Sequence, residues 1–153
     1  MTPSLPLKLP RPYRNNNPLD LESGPHWQGL MPWGEMTPDQ QREPRFAVFA
    51  SPEFGFRAGV VLFRNYWRLH GLRSLGSIIP RFAPPDENLT DSYVTAMSHW
   101  TGFAPDALLD MESRPVLRAL VRGATQQETG SWEPWWNDGQ LDRGIAMVFG
   151  QED

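Results

Sequence analysis

Residues 51–71 read SPEFGFRAGVVLFRNYWRLHG, and this stretch decides how the chain folds. Ser51 offers an N-cap hydroxyl, Pro52 suits the first helical position, and Glu53 sets a carboxylate against the positive end of the helix dipole. Phe54, Ala58, Val61, Leu62, Trp67 and Leu69 form a broad apolar stripe with Tyr66 beside it, and Gly71 is placed to stop the helix. A stripe this wide predicts a core helix.

Upstream, residues 45–50 (RFAVFA) read as a short strand, and residues 14–44 as loop, with Asn15-Asn16-Asn17-Pro18, Ser23-Gly24-Pro25 and Pro32-Trp33-Gly34 as turn formers. Residues 1–13 carry Pro3, Pro6, Pro10 and Pro12, which favours an extended arm that can dock on a neighbouring subunit or stay a loosely held tail. Downstream, a short apolar element from Leu75 to Ile79 leads into Pro80-Arg81-Phe82-Ala83-Pro84-Pro85. A polar cap region at residues 88–91 then starts a helix with Tyr93, Ala96, Met97 and Trp100 at helical spacing, stopped by Gly102. A further helix starts at Ser113 with Pro115 in its first turn and places Val116, Leu117, Leu120, Val121 and Ala124 on one side, ending at Gly130. Residues 140–149 are apolar through Ile145, Ala146, Met147 and Val148 and read as a last helix, though a short strand reads almost the same. The expectation is an α+β, mainly α-helical single domain over residues 14–153, with a small strand or hairpin and long ordered loops.

Composition narrows the function. At 153 residues the chain falls in the single-domain range. A net charge of -4 with no clustered Lys or Arg argues against nucleic-acid binding. The absence of cysteine excludes disulfides and thiolate chemistry, and no apolar run suggests a signal segment or a membrane span. His26, His70 and His99 are scattered without an HExxH pattern, and there is no phosphate loop or GxSxG elbow, so neither metal nor cofactor is expected.

The residue that stands out is Glu128. Steps of three or four from Leu117 through Val121 and Ala124 bring it onto the apolar face of its helix, just where that helix stops. Burial and the negative end of the dipole both disfavour a carboxylate there, which suits a general acid; on pattern alone a solvated residue on a fraying last turn is the more frequent outcome. The tryptophans of Ser131-Trp132-Glu133-Pro134-Trp135-Trp136-Asn137 could stack sugar rings but more often pack a core. For a second carboxylate, Glu35, Glu43, Glu53, Asp86 and Glu87 are all available, and a single-carboxylate lytic mechanism is equally open.

Taken together, Arg14-Asn15-Asn16-Asn17-Pro18, Trp27-Gln28-Gly29, residues 46–58 (FAVFASPEFGFRA), Asn65-Tyr66, residues 78–93 (IIPRFAPPDENLTDSY), Gln127-Glu128-Thr129-Gly130 and Pro134-Trp135 resemble a family of phage structural proteins. A well-known relative in it is the virion lysin of an enveloped double-stranded RNA phage. The order of parts also resembles a circularly permuted glucosaminidase or lysozyme whose catalytic-glutamate helix comes last. The resemblance implies a lysozyme-like fold, Glu128 as catalytic acid, and a glycan groove lined by Asn16, Asn17, Tyr93 and Trp135. It further implies a virion protein that acts on peptidoglycan at the host periplasm or cell wall during genome delivery and contacts other virion proteins through the N-terminal arm. The chain departs from the family after Pro18, where Leu19-Asp20-Leu21-Glu22 replaces Gly-Asn-Ile-Arg. A glycine lost from a tight turn and an arginine exchanged for Glu22 would alter both backbone freedom and charge beside the cleft. Two non-enzymatic readings therefore accompany the hydrolase: a structural virion protein on a lysin-derived fold, and a carbohydrate-binding module that leaves glycan intact.

Overall fold

The computed structural model describes residues 8–83 and 89–150. Among these, the helices are α1 (Arg11–Arg14), α2 (Pro38–Gln41), α3 (Pro52–His70), α4 (Leu75–Phe82), α5 (Thr90–Thr101), α6 (Arg114–Thr129) and α7 (Asp138–Phe149), with one 3-10 turn at Trp33–Glu35. The architecture is mainly α-helical, and no helix among the described residues is long and apolar enough to cross a membrane.

Helix termini fall where local chemistry puts them. Gly71 ends α3 at φ 68°, a left-handed backbone that costs glycine little. Ser113 caps α6 by accepting the Val116 N–H, and Asn137 and Gln140 form a capping box at the start of α7, settling the last element as helix. Ser51 sits at the N-cap of α3, but its side chain makes no cap hydrogen bond.

The buried face of α3 is rotated from the expected stripe. Phe56, Ala58, Val60, Phe63 and Tyr66 are buried, Phe54, Val61, Leu62 and Trp67 are only half-buried, and Leu69 is 70% exposed. The reason is that α3 is packed from several directions. The α7 helix lies along it, α6 crosses it, and the loop after α1 covers a third side, so hydrophobicity alone does not locate the seam. Leu117, Leu120, Val121 and Ala124 of α6 are fully buried as expected, whereas Trp100 of α5 stays 40% exposed.

The approach of α7 to α3 is set by Gly144. A Cβ there would lie 2.7 Å from Phe56 Cβ, 2.8 Å from the Arg57 nitrogen and 2.9 Å from the Glu53 carbonyl oxygen. Two of these three are backbone atoms, so a larger residue must push the helices apart. Gly144→Ala is expected to lower stability by about 2 kcal/mol, seen as an earlier urea midpoint with an unchanged slope.

One expectation is corrected. The strand at residues 45–50 is reduced to two isolated antiparallel bridges, Glu22 with Phe46 and Leu30 with Phe49. Its backbone groups are taken up piecemeal. Ala47 N–H donates to Leu21, Phe49 N–H to Asn15 and Ala50 N–H to Gly29, while the Val48 carbonyl accepts from Met31. Several loop segments thus satisfy what one partner strand would otherwise satisfy. Of the expected N-terminal arm, residues 1–7 lie outside the described residues. Arg11–Arg14 is helical with Pro12 buried, Arg11 pairs with Asp20 and Glu43, and Arg14 pairs with Glu43.

Candidate functional site

Glu128 sits in the last turn of α6, ahead of Gly130, whose φ of 93° ends the helix. It lines a cleft of about 800 Å³ together with Arg11, Asp20, Glu22, Arg45, Phe46, Tyr66 and Arg81, with Leu19, Leu62 and Phe82 as apolar walls. Its carboxyl is pushed up to about 7, principally by burial and secondarily by the negative charge of Asp20; the Tyr93 hydroxyl and Arg11 act in the opposite direction. Tyr93 donates its hydroxyl proton to Glu128 Oε2 at 3.0 Å. Burial and the neighbouring carboxylate raise the Tyr93 phenol well above its ordinary value, so it remains a donor at any working pH.

Asp20 was not among the expected carboxylates. Its side chain is only 11% exposed, and Arg11 grips it from two nitrogens: Nε donates to Oδ1 at 2.9 Å and Nη2 to Oδ2 at 2.6 Å. The guanidinium also lies 3.5 Å from the centre of the Phe46 ring. Asp20 has φ 53°, a left-handed backbone that Asp and Asn tolerate better than other side chains. In the segment after Pro18 the left-handed residue is thus Asp20, Leu19 is 1% exposed in the core, and Glu22 pairs with Arg45 at 2.6 Å.

Of the other expected carboxylates, those among the described residues do not line the cleft. Glu43 binds Arg11 and Arg14, and their hydrogen bonds hold its carboxyl below the usual range. Neither Glu35 nor Glu53 borders the cleft, and Asp86 and Glu87 lie outside the described residues. Among the described residues no group of three His, Asp or Glu side chains is placed to hold a metal ion.

Of the four expected sugar-binding residues, only Tyr93 touches the site, and it does so from behind Glu128. Asn17 is fully buried; its Nδ2 donates to the carbonyls of Leu21 and Ala47, and its Oδ1 accepts the Leu21 N–H. Asn16 donates to the Phe49 carbonyl, and its own carbonyl oxygen lies where a side chain at Gly55 would have to go. Trp135 packs on Tyr13 with ring centres 5.0 Å apart, while Trp132 and Trp136 are buried against Phe56. These contacts occupy the whole Asn17 amide and the Asn16 Nδ2, and they place Trp132 and Trp136 in the core. No sequence signal singled out Asp20. The nearest to one is the pair of arginines, Arg11 and Arg14, before the asparagine run with the carboxylates Asp20 and Glu43 after it.

A helical domain with a partly buried, elevated carboxyl beside a clamped aspartate defines a class of acid-bearing clefts. No family model matches the chain. It is 34% identical over 139 residues to Protein P5 of Pseudoalteromonas phage PM2, a match spanning 91% of this chain and 82% of that protein. The chain therefore belongs to the same phage protein family as Protein P5.

Proposed function

We propose that the protein is a virion-associated enzyme with a lysozyme-like fold that cleaves the glycan strands of peptidoglycan, as a muramidase or lytic transglycosylase, with Glu128 as general acid. The observation that carries this reading is a carboxyl pushed up to about 7 inside a cleft of about 800 Å³, next to a carboxylate that stays clamped by Arg11. In the step, the Glu128 proton moves to the glycosidic oxygen as the bond from that oxygen to the anomeric carbon breaks, and the bonding pair leaves with the oxygen. The sugar cation is captured by water, giving hydrolysis, or by its own 6-hydroxyl, giving an anhydro-sugar. Glu128, now a carboxylate, takes the proton released by that nucleophile and is regenerated. Asp20, with both oxygens engaged by Arg11, is held in place as a carboxylate facing the cation.

The test is incubation of wild type and Glu128→Gln with Gram-negative peptidoglycan and mass spectrometry of the soluble products. Muropeptides from wild type alone support the reading, and reducing or anhydro ends identify the bond and the nucleophile. Full activity in the variant would refute the site assignment.

Tyr93 gives a second handle. Its hydroxyl stabilises the Glu128 carboxylate, so Tyr93→Phe raises the Glu128 pKa above about 7. A general acid works protonated, and the rate falls as pH rises through its pKa; the alkaline limb of the kcat profile should therefore move to higher pH in the variant.

The alternative is a non-catalytic structural protein of the virion. Trp33 (57% exposed) and Leu30 line a smaller groove with Met31, Met36 and Val48, an apolar surface of the kind buried in assemblies. It expects stoichiometric retention in particles and no product from wild type.

A further inference from the structure

Three arginines line the cleft, and two of them are spoken for: Arg11 by Asp20 and Glu43, Arg45 by Glu22. Arg81, in the last turn of α4, is exposed and has no carboxylate partner among the described residues. Tyr66, on the same wall, is 7% exposed, and its hydroxyl likewise has no hydrogen-bond partner among the described residues. Burial pushes the Tyr66 phenol up to about 12, and the positive charge of Arg81 works against that rise, which places the two groups within electrostatic reach. A protonated phenol and a guanidinium both donate, so the cleft lining holds two donor groups without an acceptor partner among the described residues.

We propose that the Tyr66 hydroxyl and the Arg81 guanidinium form a carboxylate-binding subsite, which reads the free carboxylates of the stem peptides on a peptidoglycan strand. This rests on the peptidoglycan reading above and deepens it: the enzyme distinguishes a charged glycan from a neutral one such as chitin. Because Asp20 and Glu22 are each paired with an arginine, Arg81 is left as the cation of the lining that has no carboxylate partner among the described residues.

The experiment measures binding and cleavage separately. Binding of a disaccharide-tetrapeptide muropeptide, of the same molecule with its carboxylates amidated, and of chitotetraose is titrated by calorimetry on wild type, Arg81→Gln, Arg81→Lys and Tyr66→Phe. The wild type should bind the free carboxylate form about tenfold more tightly than the amidated one, Arg81→Gln should erase that ratio, and Arg81→Lys should restore part of it. Tyr66→Phe should reduce the ratio, and chitotetraose should bind all four proteins alike. Equal wild-type affinity for free and amidated forms, no binding of either, or a ratio untouched in Arg81→Gln overturns the subsite, even if wild type cleaves sacculi. An Arg81-dependent ratio without any cleavage product keeps the subsite and overturns the hydrolase.

Discussion

Glu128→Gln is expected to be at once inactive and more stable than the wild type. Loss of the transferable proton should lower kcat by at least about a hundredfold. The stability change follows from linkage. In the unfolded chain the carboxyl titrates near 4.5, and in the folded protein near 7. Below pH 4.5 both states hold the proton and the residue is neutral with respect to folding. Between 4.5 and about 7 the unfolded state ionises while the folded state resists, so stability falls as pH rises, and above about 7 the full deficit, about 3 kcal/mol, is present. Glutamine carries no charge and can still accept the Tyr93 hydroxyl, so the variant loses the deficit and keeps the contact. Thermal unfolding at pH 8 should shift upward by several degrees, and at pH 4 the two proteins should melt together. Equal melting at both pH values would show Glu128 to be an ordinary solvated carboxylate.

Asn17→Ala should produce the largest loss of stability of any single polar substitution considered. The side chain closes three hydrogen bonds, each 2.9 Å long, in the loop beneath the cleft. The Leu21 carbonyl keeps a second donor, the Ala47 N–H, but the Leu21 N–H and the Ala47 carbonyl lose the partners shown. Two stranded backbone groups cost about 2–5 kcal/mol, a large share of the stability of a typical domain. Urea unfolding gives the value directly. A sugar-binding asparagine would behave otherwise, raising KM on a protein that melts normally, so this pair of measurements separates the expected groove residue from the observed loop tie.

How much of this was legible in the sequence follows from range. The limits of α3 and α6 could be read because Ser, Pro and Gly act within one turn of themselves, and Glu128 followed because helical spacing carries a residue onto the face of its neighbours. The buried face of α3 could not be read, since Phe56 and Phe63 are selected by what packs against them from α6, α7 and the loop after α1. The apparent strand at Phe46 and Phe49 was lost for the same reason: alternation shows what a segment can do, and the partners decide what it does. Asp20 escaped notice because its meaning depends on Arg11 at close range and on Glu128 from the far part of the chain. The asparagines were noticed but their ties to loop carbonyls were not, because an amide that binds sugar and one that ties a loop leave the same letter.

The cleft joins Arg11 and Asp20 to Glu128, which lies far along the chain from them. A chain emerging from the ribosome exposes Arg11 and Asp20 well before α6 can dock against them. Contacts of such long separation are the slowest to close, because the entropy of the intervening loop is lost before they form. The burial that raises the Glu128 carboxyl comes with that late contact. Under the proposed reading, the chemistry is withheld until it forms.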